Sequence, residues 1–172
     1  MAETLTILKT RRSCRAYKPE LIEEEKLNAI LEAGTYAATA GGKQSPIIIA
    51  VTDPEVRNTL SKLNAAAMNV DMDPFYGAPE VIVVLGNADV GPYVEDGSLV
   101  LGNMMNAAAD LGVASCWIHR AKEEFESEEG KEILKKLSIE GNYVGIGNLI
   151  LGYAAQPAAE PAPRKADYIY RI

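Results

Sequence analysis

"VEDGSLVLGNMMNAAADLGVASCWIH", residues 94–119, decides the fold. Residues 94–111 read as one helix, apolar around most of its circumference. A helix with no face to give to water is a central, buried one. Gly112 stands where a C-cap glycine ends such a helix. "ASCWIH", 114–119, is then a strand, and a buried helix running into a strand requires a sheet to pack on.

Working outward, "IIIAVT", 47–52, is continuous and β-branched, as in a strand covered on both faces. "GAPEVIVVLGN" places another strand over 80–86, and "NYVGIGNLILGYA" a fourth. Between them lie helices. Residues 23–38 repeat Leu27, Ile30, Leu31 and Gly34 at helical spacing, with Glu23 to Glu25 in the first turn. Asp53–Pro54 opens a helix that runs to about residue 69. Residues 122–137 form a charged amphipathic helix with Phe125, Ile133, Leu134 and Leu137 inward. Residues 3–10 form a short first helix. "AAQPAAEPAPRKAD" has no core-forming pattern and reads as an extended arm, 155–172, ending in the strand-like "YIYRI". That strand fits a sheet elsewhere, on a partner subunit. The whole is α+β: residues 1–172 as one domain, a central mixed β-sheet with helices on both sides.

The chain has 172 residues, 48% hydrophobic and 24% charged, which suits a single globular domain without disulfide or metal staples. Its net charge is −7, which argues against general binding to nucleic acid or anionic membranes. Cys14 and Cys116 form no CxxC pair and read as reduced thiols. The single histidine, His119, excludes a multi-histidine metal site. The N-terminus lacks a signal-peptide pattern, and no apolar run approaches the roughly 20 residues of a membrane helix. The expectation is a soluble, cytoplasmic protein.

Charge is unevenly placed. "KTRRSCRAY", 9–17, carries Lys9, Arg11, Arg12 and Arg15. Residues 1–18 hold five cations against one acid, leaving the rest of the chain at −11. A cluster of arginines repels itself unless it faces an anion or caps a helix end, where cations suit the dipole. A second basic element, Arg164 and Lys165, follows the arm. Arginine forks match phosphate oxygens, so one phosphate held by both clusters accounts for each.

Other motifs fall away. "GIGNLILG", 145–152, is not GxGxxG and lies within a strand. "GGKQS" has Ala37 where a P-loop needs its first glycine, and Gln44 follows the lysine. There is no Gly-x-Ser-x-Gly elbow. Asp96, Asp110 and the run Glu123–Glu129 read as solvated helix faces. Trp117 reads as core. His119, at the C-terminal end of a strand, reads either as a surface histidine or as a site residue.

In order along the chain, "RRSCRAY", "ATAGGKQSP", "LVLGNMMNAAADLGVASCWIHR" and "GIGNLILGYA…PAPRK" together resemble the nitroreductase family of small flavin mononucleotide (FMN) enzymes. The resemblance implies a nitroreductase-like fold, an intertwined homodimer with exchanged C-terminal arms, and FMN at the subunit interface. It implies that Arg11, Arg12 and Ser13 hold the FMN phosphate and ribityl chain, with Arg164 and Lys165 at the same phosphate. Arg15 would lie by the N1/O2 edge of the flavin, and Gln44 by the ribityl or ring edge. The backbone of Ile118, His119 and Arg120 would approach flavin N5, with His119 a substrate-side contact. The implied activity is ping-pong reduction of a nitroaromatic or quinone by NADH or NADPH, with no protein nucleophile and no metal. Loop 65–78 would cover the flavin face. Gly42 departs from the family's usual Asn in the "GGKQS" loop, and Lys43 adds a cation. Two other readings stand beside this one: an FMN-binding carrier or sensor without efficient turnover, and a binder of another phosphorylated ligand.

Overall fold

The β-branched runs form four strands whose side chains divide between two faces. The computed structural model describes residues 4–172; Glu3, included in the expected first helix, lies outside them. The elements are α1 (Thr4–Thr10), α2 (Glu24–Thr35), β1 (Ile47–Val51), α3 (Pro54–Met68), β2 (Glu80–Asn87), α4 (Tyr93–Asp110), β3 (Ala114–Ile118), α5 (Ala121–Glu126), α6 (Glu128–Lys136) and β4 (Tyr143–Gly152).

The sheet order is β1-β2-β4-β3. Ile82 and Val84 of β2, with Leu149 and Leu151 of β4, turn to α2 and α4. Val81, Val83 and Leu85, with Ile150, Cys116 and Ile118, turn to Leu60 of α3 and Phe125 of α5. Period-two alternation thus feeds two cores, one on each side of the sheet. α4 buries one stripe, Val100, Leu101, Met104 and Ala108, against the first face, but Val94 and Leu99 are exposed, so on this chain it is not the helix covered all round that its apolar circumference implies. Each side chain as large as Leu101 removed from water in this way contributes about 1.5–3 kcal/mol.

The expected α+β architecture and the helices on both sides are present. The sheet is not mixed, however: all three strand pairings are antiparallel. Among the described residues a parallel pair appears only as the isolated bridge between Ser13 and Ser115. The physical reason lies in the connections. α3 carries the chain away from the end of β1, and residues 69–79 bring it back to the same end, so β2 runs opposite to β1. β4 enters between β2 and β3 and opposes both.

Local chemistry sets the helix limits. The Asp53 carboxylate accepts the N–H groups of Glu55 (2.8 Å) and Val56 (3.1 Å), and Pro54 occupies the first turn, a standard N-terminus. The helix expected over 122–137 is two. Ser127 is extended (φ −70°, ψ 162°) and its hydroxyl accepts the Gly130 N–H at 3.0 Å, capping α6. A cap inside a charged run wins over helix propensity because it satisfies a donor the new helix would leave orphaned.

The glycines of "GIGNLILG" serve packing. Between Val84 and Leu85 the β2–β4 register shifts: Val84 faces Gly147 and Leu85 faces Gly145. Ile146 is therefore the extra residue of a bulge, which turns it to the α4 side. A Cβ on Gly145 would meet Ala121 O at 2.1 Å, and one on Gly147 would meet Trp117 Nε1 at 2.3 Å. The "YIYRI" segment forms no strand on its own chain. Residues 166–168 make a single 3₁₀ turn, and Tyr168, Ile169 and Tyr170 are 69%, 74% and 81% exposed. A strand needs an edge to pair with, and this chain folds the arm against none.

Candidate functional site

The arginine cluster leaves α1 and runs beside β3 as a strap. Arg11 N–H closes the helix on Ile7 O at 2.9 Å. Cys14 N–H donates to Ser115 O at 3.0 Å, Lys18 N–H to Tyr153 O at 2.8 Å, and Ala155 N–H to Ala16 O at 2.9 Å. Residues 13–18 are thus tied both to β3 and to the chain leaving β4. The arm departs from that same point, so the two basic elements of the sequence come together here.

Two cavities share Arg11, Arg12 and Ser13 as a wall. One, of about 370 Å³, also takes Arg15, Gly112, Ser115 and residues 156–159. The other, of about 650 Å³, is closed by residues 160–164 and includes Arg164. Among the described residues none of Arg11, Arg12, Arg15 and Arg164 forms an ion pair. Arg12 Nη1 donates to Lys9 O (2.9 Å) and Arg11 O (2.6 Å). Arg11 Nη1 and Arg12 Nε are buried donors with no acceptor. Buried guanidinium donors left unpaired are costly, and a phosphate is the acceptor their forks fit. Lys165 lines neither cavity; its Nζ lies 5.5 Å from the centre of the Tyr168 ring.

Gln44 is not brought to this wall. It lines a separate cavity of about 380 Å³ with Gly34, Thr39, Pro46, Ile48 and Val100. Its loop makes a 3₁₀ turn at Ala40–Gly42, and Gln44 itself has φ 50°. Asp96 of α4 holds the loop from beneath: Ala40 N–H donates to Oδ1 at 3.0 Å and the Ser45 hydroxyl to Oδ2 at 3.4 Å. Asp96 is 3% exposed, so it does not belong to the solvated face expected of it.

Ile118, His119 and Arg120 form the turn from β3 to α5 and line none of these three cavities. Ile118 is buried, and His119 and Arg120 are exposed. Arg120 sits in the left-handed region at φ 78°, and its guanidinium pairs with Glu123 at 2.9 Å. Beneath the turn the Asn64 side chain donates to His119 O at 2.7 Å and to Glu124 Oε1. Asn148 Nδ2 donates to the same Glu124 oxygen at 2.8 Å. Glu124 is fully buried. That burial pushes its carboxyl up to about 8, against the opposing pull of the two amides. It is no more part of a solvated face than Asp96 is. The signal was present: Ala121, Glu124 and Phe125 fall at i, i+3 and i+4, the buried stripe of α5.

Loop 65–78 divides. Residues 65–68 end α3, Asn69 caps it in the left-handed region, and the rest is latched by Asp73. Asp73 accepts from Arg57 (2.6 Å), Ser61 (2.6 Å), Phe75 N–H (3.0 Å) and Gly77 N–H (2.8 Å). Burial alone would raise this carboxyl; the four donors outweigh it and hold it at about 2.

Comparison with known proteins gives a consistent set. A model described as "Nitroreductase family" matches residues 8–74, the span from the arginine strap through α3. An Archaeoglobus fulgidus protein named "Putative NADH dehydrogenase/NAD(P)H nitroreductase" is 33% identical over 158 residues, covering 89% of this chain and 86% of that protein. Two solved structures align over the whole of both chains. A Bacteroides fragilis nitroreductase with bound FMN is 28% identical with a TM-score of 0.89. A Desulfitobacterium hafniense nitroreductase with bound FMN is 27% identical with a TM-score of 0.87.

Proposed function

The chain belongs to the nitroreductase family, and from that premise we propose an FMN-dependent NAD(P)H oxidoreductase acting on nitroaromatic or quinone acceptors by ping-pong. FMN held by this chain would supply hydride chemistry at N5, between NAD(P)H in one half-reaction and the acceptor in the other. The protein binds, orients and tunes it.

The observation that carries this reading is the pair of buried, unpaired donors, Arg11 Nη1 and Arg12 Nε, on a cavity wall. They suit the FMN phosphate, with Ser13 on the ribityl chain and Arg164 closing from the arm. Lys165 reaches the phosphate only if the arm moves from its present position. Arg15 is assigned to the N1/O2 edge, where a fixed cation stabilises negative charge on the reduced ring. Ile118, His119 and Arg120 are assigned to the N5 edge, with His119 on the substrate side. Gln44 lies in a different cavity from the arginines, and this supports a site completed by a second copy. In that homodimer residues 1–172 act as one domain, and the arm, 155–172, crosses to the partner. The exposed Tyr168, Ile169 and Tyr170 are then the side chains the partner covers. Reduced Cys14 and Cys116 suit a cytoplasmic setting.

The test is the visible spectrum of the purified protein, followed by anaerobic NAD(P)H and then menadione or nitrofurazone. A yellow protein that bleaches and turns over is expected. A colourless chain that FMN neither binds nor stabilises overturns the reading. Slow bleaching without turnover identifies a carrier or sensor instead.

A further inference from the structure

The turn at His119–Arg120 rests on a buried polar group that the proposed chemistry does not itself use. Asn64 comes from α3, Glu124 from α5 and Asn148 from β4, where Asn148 pairs in register with Ile118. All three are fully buried. Asn148 and Asn64 both donate to Glu124 Oε1, and Asn64 carries the group to the backbone of the turn by its bond to the His119 carbonyl. We infer that Asn64, Glu124 and Asn148 are positioning residues that fix the His119–Arg120 peptide with its N–H directed outward, toward the ligand ring edge; this rests on the flavin reading above.

The geometry follows from the peptide bond. The His119–Arg120 peptide is trans, so its C=O and N–H point in opposite directions. Asn64 holds the C=O inward at 2.7 Å. The Arg120 N–H must therefore face out, and it has no acceptor among the described residues. Arg120 adopts φ 78°, a conformation that a residue with a Cβ keeps only where its surroundings impose it. The Asn64 bond supplies that constraint. Glu124 in turn fixes Asn64, because its Oε1 accepts from both amides and so sets which way each one faces. Glu124 Oε2, Asn64 Oδ1 and Asn148 Oδ1 remain buried and unpaired. A proton on Oε2 would serve one of the two amide oxygens and complete the group.

Three variants test this in the full-length protein. Asn64→Leu keeps volume but removes the donor, with Asn64→Ala in its place should the first not fold. Glu124→Gln keeps an oxygen acceptor and adds a donor; Glu124→Ala removes both. In Asn64→Leu and Glu124→Ala, anaerobic stopped-flow hydride transfer should fall roughly tenfold or more. The flavin midpoint potential should shift, while FMN affinity, set at the phosphate end, is retained. Glu124→Gln should keep wild-type rate and potential. In wild-type protein, FMN should slow hydrogen exchange of the Arg120 amide. Loss of melting temperature alone, with wild-type rate and potential in Asn64→Leu and Glu124→Ala, overturns the inference and leaves a structural group only. Should wild-type protein bind no FMN, the functional reading fails instead. Exchange over residues 119–124 of the ligand-free protein then decides the anchoring: faster in Asn64→Leu supports it, unchanged removes it.

Discussion

Asp96 and Ala40 lie 56 positions apart in the chain and are joined by one hydrogen bond of 3.0 Å. A carboxylate buried in the first turn of α4 thereby holds the backbone of the loop that presents Gln44. Replacing Asp96 with Ala leaves the Ala40 N–H and the Ser45 hydroxyl without this acceptor, at a cost of about 1–3 kcal/mol. The expected result is faster amide exchange over residues 39–45 and weaker FMN binding, with the arginine wall unaffected. Wild-type exchange in that loop would remove Asp96 from its support.

The arginines should separate by effect. Arg11→Ala removes a charged donor to the proposed phosphate and should cost about 2 kcal/mol, roughly thirtyfold in FMN Kd. The melting temperature in the presence of FMN should fall with it, by linkage. Arg15→Ala should lower the flavin midpoint potential more than it weakens binding. Titration by fluorescence quenching and redox titration distinguish the two. Unchanged affinity in the first, or unchanged potential in the second, cancels that assignment.

Deleting residues 157–172 should convert the proposed homodimer to monomer and weaken FMN binding, because Arg164 leaves with the arm. Sedimentation velocity reads the mass directly. A truncated chain that sediments as the full-length dimer does would mean that the arm is not the clasp.

Stability should depend on pH through Glu124. Its carboxyl is pushed by burial from the ordinary glutamate value up to about 8 in the folded state. The folded protein therefore binds a proton that the unfolded chain has already released. The sign follows: the stabilisation is complete below about pH 4.5, declines above it, and is gone beyond about pH 8. Glu124→Gln should flatten the fall in urea midpoint between pH 5.5 and 8.5. Asp73 acts at the other end: its depressed value predicts loss of the loop latch as pH drops from about 4 toward 2. An equal slope in wild type and Glu124→Gln would exclude Glu124 as the titrating group.

Gly145→Ala should destabilise by about 2 kcal/mol or more, since its Cβ would fall 2.1 Å from a backbone oxygen of Ala121. Backbone at the start of α5 cannot swing aside as a side chain can. A denaturant midpoint matching wild type would mean that the β4 bulge has room to shift.

Much of this molecule is legible in local pattern. The strand read at 80–86 is present and buried along nearly its whole length, and Asp53–Pro54 marks a helix start that the hydrogen bonds reproduce. The strand read at 47–52 is present too, but it lies at the sheet edge with Ala50 exposed rather than covered on both faces. Less legible is anything settled by residues far apart in the chain. Whether β2 runs with or against β1 depends on where residues 69–79 return. Ser127 reads as one more polar residue until its hydroxyl is seen to cap α6. Asp96 and Glu124 look like solvent-facing acids because their partners, Ala40 and Asn64, are distant in sequence. The arginine strap was evident as charge; that two of its donors are buried and unpaired depends on β3 and the arm folding against it.

The sheet is finished on one side and unfinished on the other. The outer edge of β3 meets the strap through Ser13 and Ser115, whereas β1 pairs only with β2 among the described residues. Strand-to-strand growth can therefore proceed in one direction alone. If the free edge of β1 accepts a single arm from a second copy, and gives its own in return, both open edges are consumed at once. Such an exchange closes on itself, so the element that makes association possible also halts it at two chains.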